Sequence, residues 1–164
     1  KKRKNEKAGI DYDFISKDVF ETKIKNNFFL EWAAVFGNYY GTSREKVQKT
    51  LQEGNDVLFD IDWQGTQQLS DNKDFDLVTI FILPPSKTAL EKRLNNRAQD
   101  SKIEVIKRMS QASDEISHYM EYNYIVINNN LEDASNQVLS ILKAERLKRK
   151  RLININEFIT FLRS

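Results

Sequence analysis

Three apolar runs constrain the fold of this chain more than any other feature of its sequence. The runs span residues 56–62, 77–83 and 124–128. A nearly continuous apolar run, unlike an alternating one, is typical of a strand that is buried on both faces. Helical apolar patterns lie between and after these runs, at residues 86–94, 102–117 and 131–150. Strands that alternate with helices predict a parallel sheet wrapped by helices.

Polar side chains close two of these runs. Asp60 and Asp62 end the first run, and Asn128 ends the third. In parallel α/β sheets, ligands bind beyond the carboxyl ends of the strands. The sequence therefore predicts that these three side chains lie near a ligand.

The first third of the chain has a mixed pattern. Residues 10–15 and 28–36 are typical of short strands or turns. A helix is predicted between them at residues 16–26, with Ser16 as its N-cap.

A second helix is predicted for residues 42–53. Its apolar positions Val47 and Leu51 are four residues apart, which is the spacing of one helix face. Gly54 follows directly and is suited to end the helix.

The composition narrows the class of protein. The 164 residues are 40% hydrophobic and 30% charged, with a net charge of +2, which predicts a soluble globular protein. There is no cysteine, so disulfides and cysteine-ligated zinc are excluded. No apolar stretch approaches the roughly 20 residues that a membrane helix needs. We expect a cytoplasmic protein with no membrane partner.

Basic residues cluster at positions 1–4 and 146–151. Such runs usually form solvated surface, and stacking aromatic residues are not interleaved with them, so no nucleic-acid partner is expected. His118 is the one histidine of the sequence and lies near Glu115 and Glu121. Because no second histidine or cysteine is available, we expect a surface residue rather than a transition-metal ligand.

Six blocks of the sequence, taken in order, resemble the guanylate kinase family. They are RKNEKAGIDY at 3–12, FLEWA at 29–33, GNYYGT at 37–42, DIDWQG at 60–65, IFILPPS at 80–86 and RLNNR at 93–97. The resemblance extends from about residue 3 to about residue 147. It implies an enzyme that transfers a phosphoryl group from ATP to GMP in purine nucleotide metabolism.

The same resemblance implies a fold class and a division of the chain. The fold is a P-loop NTPase-like three-layer α/β sandwich with a central parallel sheet, plus a mixed α/β GMP-binding subdomain and a short helical lid. The implied parts are the GMP-binding subdomain (1–54), the core (55–94 and 111–150), the lid (95–110) and a C-terminal extension (151–164).

The resemblance assigns the guanine base to Glu31, Thr42 and Asp62. Guanine presents its N1–H and N2–H donors side by side, and one carboxylate accepts both. Adenine would leave such a buried carboxylate unpaired. In this assignment, the Thr42 hydroxyl donates to O6, and Asp62 accepts from the exocyclic amine. Without the resemblance, a solvated acid beside a core tryptophan is the favoured interpretation of Glu31.

The family's contacts to the GMP phosphate match Arg3, Tyr12 and Tyr40. Arginine offers a planar fork of donors to phosphate oxygens, and tyrosine hydroxyls add neutral donors. Half-buried packing is the alternative for both tyrosines. Glu6 also matches a position in this pocket, where a plain surface glutamate is the alternative.

Arg93, Arg97 and Arg108 match arginines on and near the family's lid. Charge accumulates on the moving phosphoryl group, so catalysis is mostly positioning and electrostatic stabilisation. The resemblance implies that these side chains close over the ATP phosphates, with Arg97 and Arg108 contacting the transition state. The alternative is surface pairing with acids such as Glu91 or Glu104.

Two further residues are assigned to ATP and its metal. Asp60 resembles the second acidic motif of phosphate-loop enzymes, which implies Mg²⁺ held through water as the cofactor. Asn128 resembles the residue that contacts the adenine of ATP. Capping of neighbouring helices is the alternative for both, and no metal held directly by protein groups is predicted.

The ATP phosphate-binding loop, Gly-x-x-x-x-Gly-Lys-Ser/Thr, does not occur in the sequence. The family places that loop upstream of Lys1. We therefore expect the native protein to continue there, and the residues given to be inactive without it. A guanylate kinase-like scaffold domain that binds phosphorylated peptides is the alternative function. The lid arginines and the complete guanine set favour the enzyme.

The segment from Leu152 to Ser164 extends beyond the family pattern. It is rich in apolar residues, including Phe158 and Phe161. Such a segment is too apolar to stay freely solvated, so we expect it to dock on its own body or on a second subunit. A monomer and a homodimer are both compatible with this.

Overall fold

The computed structural model describes residues 6–35, 37–96 and 102–164, which form seven α-helices and four strands. The helices are α1 (Lys17–Lys25), α2 (Arg44–Gln52), α3 (Trp63–Asp71), α4 (Lys87–Asn96), α5 (Lys102–Ser117), α6 (Leu131–Arg146) and α7 (Ile155–Arg163). The strands are β1 (Phe29–Val35), β2 (Asn38–Ser43), β3 (Ile80–Leu83) and β4 (Tyr124–Ile127). The chain divides into two compact units, Lys1–Leu77 and Val78–Ser164. Every helix in the described ranges is too short or too polar to cross a membrane.

An antiparallel hairpin of β1 and β2 organises the first unit. Glu31 pairs with Thr42, and Ala33 pairs with Tyr40. The register shifts between Phe29 and Glu31. Such a bulge interrupts the strict alternation of the two strand faces. Leu30 and Glu31 are therefore both buried, although they are consecutive residues.

Side-chain caps fix where the helices of this unit begin. Ser16 Oγ accepts from the backbone N–H of Val19 at 3.3 Å, which confirms the predicted α1 and its cap. Ser43 caps α2 in the same way, so that helix begins two residues later than predicted. Helix α2 ends at Gln52, one residue earlier than predicted. Gly54 follows the C-cap with φ +80°, a conformation that strains residues with a side chain.

The core of the first unit contains Leu30, Val47 and Leu69, against which Phe59 and Ile61 pack. These two residues belong to the apolar run for which a doubly buried strand was predicted. That prediction is wrong, because residues 55–62 carry no strand assignment. Leu58 is 91% exposed between its inward-facing neighbours. Apolar content alone does not supply the neighbouring strand that a ladder of hydrogen bonds requires.

The second unit contains a parallel pair of strands. Ile80 pairs with Tyr124, and Leu83 pairs with Ile127, which confirms the predicted parallel sheet. The prediction of burial on both faces holds only in part. Val126 is 1% exposed, whereas Ile125 and Ile127 are 45% and 51% exposed.

The helices of the second unit agree with the sequence pattern except near the C-terminus. The predicted bounds of α5 are confirmed. Helix α6 ends at Arg146, four residues earlier than predicted, and a 3-10 turn forms at Arg149–Arg151. The apolar tail forms α7, but Phe161 and Leu162 are 74% and 62% exposed. The expectation that the tail docks, on its own body or on a second subunit, stays a prediction.

Candidate functional site

Glu31 is the centre of a polar cluster in the first unit. It lies on β1 and is only 3% exposed. The hydroxyl of Thr42, on the facing strand, donates to Glu31 Oε1 at 2.5 Å. Burial raises the pKa of the Glu31 carboxyl, and the Asp62 carboxylate adds to the rise, while hydrogen bonds from Thr42 oppose it. In the described part of the chain, Glu31 receives its hydrogen bonds from Thr42 alone. This carboxylate would therefore be stabilised by further donors.

Asp62 approaches Glu31 from the N-terminus of α3. One of its carboxylate oxygens caps the helix by accepting from the Gly65 backbone N–H at 3.1 Å. Its other oxygen accepts from the Gln64 side chain at 2.9 Å. Gly65, in the first turn of α3, lies close to Glu31, since a Cβ there would be 2.7 Å from Glu31 Oε2 and one of the two groups would have to shift.

The structure therefore brings together Glu31, Thr42 and Asp62, the three residues that the resemblance assigns to guanine. Two carboxylates offer acceptors, and one hydroxyl offers a donor. This arrangement complements an edge with two adjacent N–H groups and one carbonyl. It is poorly suited to adenine, whose ring nitrogen N1 would face a carboxylate.

A cleft of about 710 Å³ lies beside this cluster. Its lining includes Glu6, Tyr12, Tyr40 and Thr42, four of the residues predicted to contact GMP. The rings of Tyr12 and Tyr40 meet edge to face, with centroids 5.8 Å apart. Tyr40 and Thr42 are two residues apart on β2 and therefore project from one face, about 7 Å from each other. Thr42 thus lines the cleft together with the two tyrosines and also donates a hydrogen bond to Glu31 of the acidic cluster.

Sequence reasoning missed three lysines that also line this cleft, Lys17, Lys23 and Lys46. Lys46 pairs with Asp13 at 3.0 Å. Lys23 lies 3.4 Å from the centre of the Phe28 ring. Lys17 and Lys23 both lie on α1, but nothing in the sequence indicates that their side chains line the cleft. These cations suit an anionic ligand.

The second unit contains Arg93, Arg108 and Asn128, three of the residues that were predicted to contact ATP. Asn128 directly follows β4, as predicted, and its backbone N–H donates to Leu83 O at 2.8 Å. The Arg93 guanidinium, from α4, donates to Asn128 O at 2.7 Å. Arg108 lies on α5. Arg93 and Asn128 are thus neighbours, whereas the roles of Arg93 and Arg108 toward phosphate stay predictions.

Two of the predicted site residues, Arg3 and Arg97, lie outside the described residues. Asp60 is exposed and lies two residues before Asp62, but it does not end a strand, because none is assigned there. No group of three or more histidine, cysteine, aspartate or glutamate side chains that could hold a metal occurs in the described ranges.

Gln68 is a further residue that the sequence did not single out. Its side chain joins α3 to the backbone of Trp32, the residue after Glu31. Helix α3 was itself not predicted. The signal for it was Asp62, an N-cap residue three positions before Gly65 and six before Gln68.

Comparisons with known proteins give one consistent family for this chain. A model of the guanylate kinase family matches residues 1–145. A guanylate kinase from Bradyrhizobium diazoefficiens is 55% identical over 157 residues, which are 96% of this chain and 72% of that protein. One from Paramagnetospirillum magneticum is 51% identical over 161 residues, covering 98% of this chain and 75% of that protein.

A solved structure agrees as well. The crystal structure of guanylate kinase from Anaplasma phagocytophilum matches with a TM-score of 0.82 at 33% identity. The match covers 96% of this chain and 77% of that one. Fold and site together define a nucleoside monophosphate kinase with a P-loop NTPase-like α/β fold, which confirms the predicted fold class. The chain belongs to the guanylate kinase family. Nothing in these comparisons supports the scaffold alternative.

Proposed function

We propose that this chain binds GMP in the cleft of its first unit and presents the GMP phosphate to ATP. The observation that carries the proposal is the cluster of Glu31, Thr42 and Asp62. It combines a buried carboxylate, a hydroxyl at 2.5 Å and a second carboxylate that raises the pKa of the first. A site built only for stability would not hold two carboxylates together in this way.

The base enters this cluster by exchanging hydrogen bonds. Glu31 accepts from N1–H and N2–H of guanine, which compensates the burial of its charge. The Thr42 hydroxyl turns from Glu31 toward O6, so neither partner loses a hydrogen bond. Asp62 accepts from the exocyclic amine while it continues to cap α3.

The phosphate of GMP lies toward the tyrosine pair. Tyr12 and Tyr40 donate their hydroxyls to phosphate oxygens, and Arg3 adds a charged fork. Glu6 lines the same cleft. The lysines of the cleft favour entry of an anion through their long-range field.

In the reaction, a GMP phosphate oxygen forms a bond to the γ-phosphorus of ATP, and the bond from that phosphorus to the bridging oxygen of ADP breaks. Arg93, Arg97 and Arg108 stabilise the charge on the transferring group. Asn128 contacts the adenine. Asp60 is exposed and therefore able to hold Mg²⁺ through water, and the ion neutralises phosphate charge when it is bound.

The sequence given supplies no Gly-x-x-x-x-Gly-Lys-Ser/Thr loop. We propose that these residues alone bind GMP but do not transfer phosphoryl groups at a useful rate. The cytoplasmic location and the oligomeric state stay predictions.

A calorimetric titration tests the proposal. GMP should bind with micromolar affinity, and AMP should bind at least about tenfold more weakly, because adenine cannot satisfy Glu31. A phosphorylated peptide should not compete. Equal binding of GMP and AMP, or displacement of GMP by the phosphopeptide, would contradict the assignment.

A further inference from the structure

Gln68 makes an unusual set of contacts for a side chain on the helix beside Glu31. Its Oε1 accepts from the Trp32 backbone N–H at 3.1 Å, and its Nε2 donates to the Trp32 carbonyl at 2.7 Å. Nε2 also donates to the Gln64 carbonyl at 3.1 Å. Only one orientation of the amide satisfies all three contacts, since a flipped amide would face two carbonyls with its oxygen. The side chain thus pairs with β1 as a neighbouring strand would.

This pairing spans the two elements that carry the acidic cluster. Trp32 directly follows Glu31 on β1, and Gln68 lies on α3, the helix that Asp62 caps. Gly65 and Gln68 are three residues apart and therefore share a helix face. That face already lies against Glu31, because a Cβ at Gly65 would come within 2.7 Å of Glu31 Oε2.

The two carboxylates in this cluster repel each other, and that repulsion favours separating α3 from β1. The bonds from Gln68 to Trp32 oppose the separation one helical turn beyond Gly65. Asp62 is fixed within α3 by its own bonds to Gly65 and Gln64, so its distance from Glu31 follows the position of the helix.

We propose that Gln68 is a positioning residue that holds Glu31 and Asp62 at the separation needed to accept the 2-amino group of guanine. The proposal rests on the proposed function, because it takes the acidic cluster to be the guanine site. Gln68 itself does not touch the nucleotide.

The test compares binding of GMP with binding of IMP, which lacks the 2-amino group, in Gln68→Met. Methionine keeps the length of the side chain but can neither donate nor accept as the amide does. We expect GMP binding to weaken about tenfold, the effect of one good hydrogen bond, and IMP binding to weaken by less than about threefold. Gln67→Met, at the exposed neighbour on the same helix, should leave both affinities within about twofold.

A second variant, Gln68→Asn, keeps the amide but shortens its reach, and it should lose the preference for GMP over IMP as Gln68→Met does. It decides the question if Gln68→Met does not fold. A loss of thermal stability with an unchanged ratio of GMP to IMP affinity would show that Gln68 is merely structural and would overturn the proposal.

Glu31→Gln distinguishes a failure of the guanine assignment from a failure of the positioning role of Gln68. If that variant keeps its preference for GMP, the guanine assignment itself fails. If it loses the preference while both Gln68 variants keep theirs, only the positioning role fails.

Discussion

Two buried glutamates, one in each unit, have opposite electrostatic surroundings. Glu31 and Glu145 are each 3% exposed. Among the residues that the structure describes, Thr42 alone donates hydrogen bonds to Glu31, a second carboxylate lies nearby, and the pKa of Glu31 is raised. Glu145 has three partners: Lys148 Nζ at 2.6 Å, the Tyr124 hydroxyl and the Arg151 guanidinium. Their hydrogen bonds lower the pKa of Glu145 from 4.5 to about 2.

The difference separates a carboxylate that stabilises the fold from one that is available to a ligand. Glu145 is fully satisfied within the protein, and it ties the turn after α6 to β4. Glu31 keeps acceptor capacity that only added donors would use. A buried carboxylate that lacks donors destabilises the protein, so its presence beside a cleft indicates a binding role.

The largest effect is expected from Glu145→Ala. This change leaves the Arg151 guanidinium, whose side chain is 14% exposed, without its carboxylate partner. The second unit should unfold at a clearly lower urea concentration than in the parent chain. Affinity for GMP should stay within about twofold, because every described residue of the GMP site belongs to the first unit.

The pH dependence of unfolding checks the same cluster. Because the pKa of Glu145 is lowered in the folded state, its contribution to stability is present above pH 4.5 and is lost as the pH falls toward 2. Glu145→Gln should be less sensitive to acid over this interval, whereas Glu132→Gln, at an exposed position on the same helix, should behave as the parent chain does. If Glu145→Gln and the parent lose stability in parallel, the ionised Glu145 carboxylate does not stabilise the turn after α6.

Glu31→Gln should have the next largest effect, on binding rather than on folding. The variant loses a charged acceptor for two guanine donors, so GMP affinity should fall about 100-fold, and AMP affinity should change little.

The stability of Glu31→Gln is a second readout. Because the pKa of Glu31 is raised in the folded state, its ionisation destabilises the fold above that pKa. The variant should therefore be as stable as the parent or more stable. Glu53→Gln, at an exposed residue, is the matched control. If Glu31→Gln is destabilised but binds GMP normally, Glu31 stabilises the fold and is not the carboxylate available to a ligand.

Gly65→Ala tests the contact between α3 and Glu31 with a single methyl group. The new Cβ would come within 2.7 Å of Glu31 Oε2 and 3.2 Å of Ile61 Cδ1, so the carboxylate has to move. GMP affinity should fall about tenfold by calorimetry, the effect of one misplaced hydrogen bond. Gly54→Ala is the control, since its strain at φ +80° lies at the end of α2 with no neighbour within 4 Å. That variant should lose about 1 kcal/mol of stability and keep its GMP affinity.

The roles of Glu31, Thr42 and Asp62 toward a base rest on the resemblance of short motifs and stay predictions, although the structure places the three side chains together. The helix caps at Ser16 and Gly54 were predictable for a local reason, since a cap depends on its nearest neighbours. The strand predicted at 56–62 was wrong because pairing depends on a partner elsewhere in the chain. Gln68 escaped notice for the same reason, since its partner, Trp32, is 36 residues away in sequence.

Thr42→Val should have the smallest effect, and it probes the balance at Glu31 most directly. The variant keeps the shape of the side chain but removes the hydroxyl that lowers the pKa of Glu31. That pKa should therefore rise further. GMP binding requires ionised Glu31 and weakens as the pH falls through this pKa. The fall of GMP affinity at low pH, which we call the acid limb, should therefore occur at higher pH in the variant. At neutral pH the lost donor to O6 should weaken binding about threefold to tenfold. Thr50→Val makes the same change on α2, where the hydroxyl donates to the Lys46 carbonyl, and it should leave both the affinity and the acid limb unchanged. An acid limb that stays in place in Thr42→Val would mean that the ionisation of Glu31 does not govern GMP binding.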